Sequence, residues 1–99
     1  MALTTLEKVK MAIRVQTDVF DDELTDMIEA AKVDLGIAGV VVPSTLDEIV
    51  TRAICTYCKM NFGAPEPNDY DRFKSSYDEQ KAQLVTASGY TNWAVNTNV

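Results

Sequence analysis

Histidine is absent from the 99 residues of the chain. Histidine is the commonest general base, the usual partner of a serine or cysteine nucleophile, and the commonest metal-binding side chain. The sequence also lacks a G-x-S-x-G nucleophile turn and a glycine-rich phosphate loop, since its four glycines are scattered. We therefore predict that the protein is not an enzyme and has no catalytic residues, no cofactor and no metal site.

Long apolar runs are also missing. No run approaches the ~20 apolar residues that a membrane span needs. Residues 1–5 lead straight into a charged, periodic segment without the apolar core of a signal peptide. We expect a protein that folds in a cytosol and does not bind a membrane.

The only two cysteines, Cys55 and Cys58, form a C-x-x-C pattern. A redox pair is expected at a helix N-terminus, whereas this pair falls in the middle to last turns of a predicted helix. A structural zinc site would need two further ligands, and the chain has no other cysteine and no histidine. We interpret both residues as small apolar side chains on a buried helix.

Positive charge is scarce, because nine lysines and arginines face 15 acidic residues, for a net charge of −6. Such a surface repels nucleic acid unless basic side chains concentrate on one face. Lys8, Lys10 and Arg14 are too few for a nucleic-acid footprint, and Arg52 and Lys59 are offset by neighbouring acids. The charges therefore disfavour direct nucleic-acid recognition.

Apolar residues recur at helical spacing in four segments. The predicted helices span residues 5–14, 21–35, 46–61 and 69–86. The third has the widest apolar face, and we expect it to form the centre of the core. The predicted fold is all-α: a compact bundle of about four helices, with a longer fourth helix and an extended C-terminal arm.

Local signals set the expected helix boundaries. Thr4 with Glu7, and Thr45 with Glu48, form capping-box patterns at the starts of the first and third helices. The expected helix stops are Gly36 and Gly63, and the residues expected to hold the next loop open are Pro65 and Pro67. We divide the chain into a helical domain, residues 1–87, and a C-terminal arm, residues 88–99.

The second helix carries Asp22, Asp26 and Glu29 on the side opposite its apolar stripe. A calcium loop would need a central glycine, and a pair of hydrolytic carboxylates would need a cleft, which a convex helix face does not supply. Two interpretations remain open. The face is either simply solvated, or a negative surface that repels DNA or meets a basic partner.

Aromatic residues mark a second candidate surface. Those of the fourth helix share a stripe that could pack on its own domain or on a neighbouring subunit, and base stacking is the less common alternative. The arm adds two more, in a segment where apolar and polar residues alternate as in an extended strand. The candidate subunit or partner interface comprises Tyr70, Phe73, Tyr77, Tyr90 and Trp93.

An ordered series of local patterns runs from about residue 3 to residue 91. The patterns are Leu6-Glu7-Lys8-Val9-Lys10, Ile13-Arg14-Val15, Phe20-Asp21-Asp22-Glu23-Leu24, Ile28-Glu29-Ala30-Ala31-Lys32, Ala53-Ile54, Tyr57, Asn61-Phe62-Gly63, Arg72-Phe73, Tyr77, Leu84 and Gly89-Tyr90-Thr91. In order, spacing and total length the chain resembles the small head–tail connector proteins of tailed bacteriophages, also called head-completion or adaptor proteins.

This resemblance implies an all-helical subunit of a ring, twelvefold like the portal, that docks beneath the portal at the head vertex. The ring would extend the DNA channel and give the tail a platform. Its implied partners are other copies of the chain, the portal protein and tail-side joining proteins, while DNA passes through without being read. The implied location is the virion, after assembly in the host cytoplasm.

Within that framework, we expect Asp22, Asp26 and Glu29 to face the channel or a basic patch on an adjacent ring. The alternative is a small helical nucleic-acid-binding or regulatory adaptor protein, which would require a concentrated basic surface.

Overall fold

Four α-helices make up most of the computed structural model, which describes residues 3–41, 48–63 and 65–86. They are α1 (Thr5–Ile13), α2 (Asp21–Ile37), α3 (Glu48–Asn61) and α4 (Pro67–Thr86). The prediction of an all-α fold with a longer fourth helix is confirmed. The predicted arm, with Tyr90 and Trp93, lies outside the described residues, and so does Thr45 of the second capping pattern.

The start of α1 is fixed by the predicted capping box. The Glu7 N–H donates to Thr4 Oγ1 at 3.1 Å, and the Thr4 N–H donates to Glu7 Oε1 at 2.8 Å. The hydrogen bond from the Thr4 backbone N–H, followed by that from the Thr4 side chain, lowers the pKa of the Glu7 carboxyl. The helix ends at Ile13, and Arg14 follows in the left-handed conformation with φ 62°.

The end of α2 differs from the prediction, because the helix continues through Gly36 to Ile37. The chain leaves it at Gly39, whose φ of 102° suits glycine. The Gly39 N–H donates to Gly36 O at 3.0 Å and the Val40 N–H to Leu35 O at 2.9 Å. This is a Schellman motif, in which the glycine beyond the last helical residue carries the turn.

The start of α4 also differs, since the helix begins at Pro67 and not at Asp69. Proline suits the first helical position, where its fixed φ is already helical and no N–H is required. The predicted stop of α3 is confirmed: the helix ends at Asn61, and Gly63 follows with φ 70°.

The centre of the core is α3, as predicted, because it packs against all three other helices. Its buried residues are Val50, Thr51, Ala53, Ile54, Thr56, Cys58 and Met60. Burial therefore extends around much of the helix, while Ile49 near its start is 51% exposed. Thr56 tolerates burial because its hydroxyl donates to Arg52 O at 3.0 Å.

Candidate assembly surfaces

The outer face of α2 is the first of two surfaces with a strong chemical character. The helix buries Leu24, Ile28, Ala31 and Leu35, and the opposite side points away from the core. Asp22, Asp26 and Glu29 are all exposed on that side. Glu29 pairs with Lys32 at 3.0 Å, but Asp22 and Asp26 have no ion pair within the described residues. Their negative charge is therefore available to a partner.

Other acids near the start of α2 are already engaged. Lys10 Nζ lies 2.8 Å from Asp21 Oδ1 and 2.9 Å from Asp18 Oδ1. The hydrogen bonds from Lys10 to Asp21 and Asp18 raise the pKa of the Lys10 ammonium. These contacts attach α1 to the start of α2.

The same outer stripe of α2 becomes apolar towards its C-terminus. Val33 and Ile37 follow Glu29 at four-residue intervals, and their side chains are 62% and 81% exposed. The outer face, defined here as Asp22, Asp26, Glu29, Val33 and Ile37, is therefore acidic at one end and apolar at the other. Such an exposed patch is typical of an interaction surface.

The aromatic stripe of α4 divides between the surface and the interior. Tyr70 is 38% exposed, and Phe73 is partly buried beneath Arg72 and Lys59, whose charged groups lie 5.4 and 6.0 Å from its ring centre. Tyr77 is only 2% exposed and thus packs within its own domain. Of the three, only Tyr70 and Phe73 present area to a neighbour.

Tyr77 joins α4 to α2. Its hydroxyl donates to Asp34 Oδ2 at 2.5 Å, and Lys81 Nζ lies 3.3 Å from the same oxygen. The ring meets Tyr57 edge-on at 5.4 Å. Burial, with the hydrogen bond to Asp34, raises the pKa of the Tyr77 phenol. Tyr77 therefore stays neutral and serves as a packing and tethering residue.

The second surface is an open groove of about 860 Å³ between α1, α3 and α4, with an adjoining hollow of about 510 Å³. Its apolar lining includes Leu3, Met11 and Phe73. Five basic residues line the two hollows, namely Lys8 and Arg14 of the α1 region, Arg52 and Lys59 of α3, and Arg72 of α4. These are five of the nine basic residues in the chain. We call this surface the basic groove.

Sequence reasoning missed the basic groove because its charges come from three separate segments. On α3 alone, Arg52 and Lys59 share a face, since seven residues make nearly two helical turns. Packing then adds Lys8, Arg14 and Arg72, which no local pattern connects. An acidic chain thus concentrates most of its positive charge in one place.

Much of this positive charge is unpaired. Lys8 binds Glu48 at 2.9 Å and Arg72 binds Asp69 at 3.0 Å. In the described part of the chain, no carboxylate lies within ion-pair distance of Arg14, Arg52 or Lys59. The basic groove therefore keeps a net positive charge after its internal pairs are counted.

Cys58 is buried as the sequence interpretation expects, whereas Cys55 is only partly buried. Cys58 is fully buried and Cys55 partly buried in the lining of the basic groove, and neither is in a disulfide. Burial raises the pKa of the Cys55 thiol, and it raises that of Cys58 to about 12. A reactive cysteine needs a lowered pKa, so neither thiol is activated.

Within residues 3–41, 48–63 and 65–86, no helix has the length and apolar character needed to cross a bilayer.

Comparison with known proteins identifies one family. Residues 5–91 match the model of the family described as "Phage connector protein". This range includes all four helices and the residues of the outer face of α2. No curated protein and no solved structure gives a significant match to the chain.

Proposed function

Since the chain belongs to the phage connector protein family, we propose that it is the subunit of a ring at the head–tail junction of the virion. The ring lies beneath the portal, extends the DNA channel and offers a platform for tail attachment. The observation that carries this proposal is the family match across residues 5–91, since the family is structural and not an enzyme family. Our proposal that this chain is itself non-catalytic follows from the same membership.

Exposed apolar side chains support a role in assembly. Met11, Val19, Val33 and Ile37 are each more than 60% exposed, with values of 67%, 80%, 62% and 81%. Single exposed apolar residues are common on monomers, but Val33 and Ile37 share one stripe. Burial of that stripe against another protein would remove apolar surface from water.

The net charge of −6 supports a ring that does not bind the DNA passing through it. A ring of acidic subunits would repel the phosphate backbone over most of its surface, so the polyanion could move through without adhering. In this proposal DNA passes through the ring without being bound. The partners are other copies of the chain, the portal protein and the tail-side joining proteins. The subunit assembles in the host cytoplasm and remains in the virion, with twelve copies matching the portal.

Residues 88–99 form the second part of our domain division, after the helical domain at residues 1–87. We propose that this segment, with Tyr90 and Trp93, reaches a neighbouring subunit by strand addition. A chain truncated after Gly89 should then associate more weakly with rings or portal than the full chain. Unchanged assembly would contradict this role.

Light scattering over a range of concentrations tests the ring proposal. The protein is measured alone and after addition of purified portal rings from the same phage. We expect a discrete ring-sized mass in at least one condition. A protein that stays monomeric alone and leaves the portal mass unchanged would contradict the connector function.

The basic groove favours one alternative, a small nucleic-acid-binding or regulatory adaptor protein. A gel-shift assay with duplex DNA at increasing salt separates the two. We expect little binding, because the whole chain is acidic. Strong binding that falls steeply with salt, and that disappears in Arg52→Glu/Lys59→Glu, would favour the alternative.

A further inference from the structure

We propose that the basic groove receives the outer face of α2 from a second copy of this chain. The proposal rests on the ring function above and names the interface that joins adjacent subunits. One subunit supplies the convex helix α2, and the next supplies the concave surface between α1, α3 and α4.

The charges of the two surfaces are complementary. Asp22 and Asp26 are exposed acids without an ion pair in the described residues. Arg14, Arg52 and Lys59 line the basic groove and likewise have no ion pair in that part of the chain. Opposite potentials steer two proteins together and disfavour wrong orientations. Each surface therefore supplies the charge that the other lacks.

The apolar parts and the dimensions also correspond. Glu48 and Lys59 line the groove, and at 1.5 Å per residue they lie about 16 Å apart along α3. Asp22 and Val33, which bound four of the five outer-face residues, are likewise about 16 Å apart along α2, and Ile37 extends the face by about 6 Å beyond this length. A helix whose stripe changes from acidic to apolar thus meets a groove whose wall includes Met11 and Phe73 as well as basic groups. This arrangement is the helix-in-groove mode of recognition.

A single subunit cannot make this contact with itself. The buried side of α2 faces the core, and no α2 residue lines the groove. The outer face of α2 and the basic groove are therefore two different surfaces of the same chain. An interface between two different surfaces of identical chains is heterologous, and it closes into a ring when the rotation between subunits permits.

A second copy suits the groove better than two other occupants. Residues 87–99 contain no charged side chain and cannot match the basic residues. DNA would meet Glu48 and the apolar residues Leu3 and Met11 in the same lining. A helix that is both acidic and apolar matches the mixed surface.

Charge reversal tests this interface in the full chain, with portal rings present. The groove variant is Arg52→Glu/Lys59→Glu, and the α2 variant is Asp22→Lys/Asp26→Lys. Each should raise the concentration needed for half-maximal assembly by roughly tenfold or more, because like charges then meet across every interface. The chain that carries all four substitutions should recover assembly.

Matched controls change the same charges elsewhere on the exposed surface of α4. Lys74→Glu and Asp71→Lys lie outside the groove lining and should assemble like the unmodified chain. Circular dichroism verifies that each variant remains helical.

The outcomes separate this interface from the ring function. If the unmodified chain forms rings and neither reversal variant assembles less well, the proposed interface is wrong and the connector function stands. Absence of any assembly by the unmodified chain would overturn both. Loss in both variants without recovery in the combined chain would also contradict direct pairing of the two surfaces.

Discussion

The two sides of α3 differ sharply. Towards α2, the helix contributes to a core of fully buried residues such as Leu24, Leu35, Val50 and Ile54. Towards the gap between α1 and α4, the same helix presents Arg52, Cys55 and Lys59 to an open groove. One helix thus separates a region that stabilises the fold from a region available to a partner.

This difference teaches that α3 has two kinds of position. On the core side, shape and volume decide the free energy of unfolding. On the groove side, removing the basic side chains from water would cost more free energy than burial supplies, unless an acidic group of a partner pairs with them. Substitutions on the two sides should therefore separate stability from assembly.

The largest expected effect on stability comes from the core side. Ile54 is fully buried, so Ile54→Ala should lower the free energy of unfolding by about 2–5 kcal/mol. Ile49 lies on the same helix but is 51% exposed, so Ile49→Ala should cost far less. Urea denaturation followed by circular dichroism measures both, and equal losses would contradict the assigned burial.

The link between α4 and α2 should have the next largest effect. Tyr77→Phe keeps the packed ring but removes the donor to Asp34, at an expected cost of about 1–3 kcal/mol. Tyr70→Phe is the matched control, since Tyr70 is 38% exposed. If the two variants unfold at the same urea concentration, the Tyr77 hydroxyl does not tether the helices.

Alkaline pH should lower the free energy of unfolding through the buried thiol of Cys58. Burial raises the pKa of Cys58 from 9.0 to about 12, so the folded state holds this proton more tightly than the unfolded chain. The resulting stability is complete below about pH 9 and is lost as the pH rises towards 12. Urea midpoints between pH 8 and 11 should fall more steeply for the unmodified protein than for Cys58→Ala, and parallel curves would contradict the burial effect.

The smallest effect on stability is expected on the groove side. Arg52 and Lys59 make no ion pair in the described part of the chain, so Arg52→Gln/Lys59→Gln should change the free energy of unfolding by only about 0.5 kcal/mol. The same variant should assemble less well. A large stability loss would show that these side chains serve the fold itself.

The helices were predictable because their signals are local. Apolar periodicity located all four, and the Thr4–Glu7 pair fixed the start of α1. The prediction that Gly36 ends α2 was wrong, because only the backbone conformation shows that the turn is carried by the next glycine, Gly39.

The surfaces were predictable only in part. Acids on the outer face of α2 are a property of one helix, and the structure exposes Asp22, Asp26 and Glu29 as the periodicity predicts. The basic groove depends on three helices packing together, so the pattern of no single segment predicts it. Tyr77 shared a stripe with Tyr70 and Phe73, but its burial follows from contacts with Tyr57 and Asp34 on other helices.

Disulfide cross-linking between subunits tests the central claim most directly. Cys55 lines the basic groove, while Cys58 is fully buried. In assembled rings, a cysteine introduced by Asp26→Cys should therefore bond to Cys55 of the next subunit on mild oxidation. Because the interface is heterologous, denaturing gels should show a ladder beyond the dimer, and the added change Cys55→Ser should abolish it. If Asp26→Cys cross-links no more than the exposed α4 control Ser75→Cys, α2 does not occupy the groove of a neighbour.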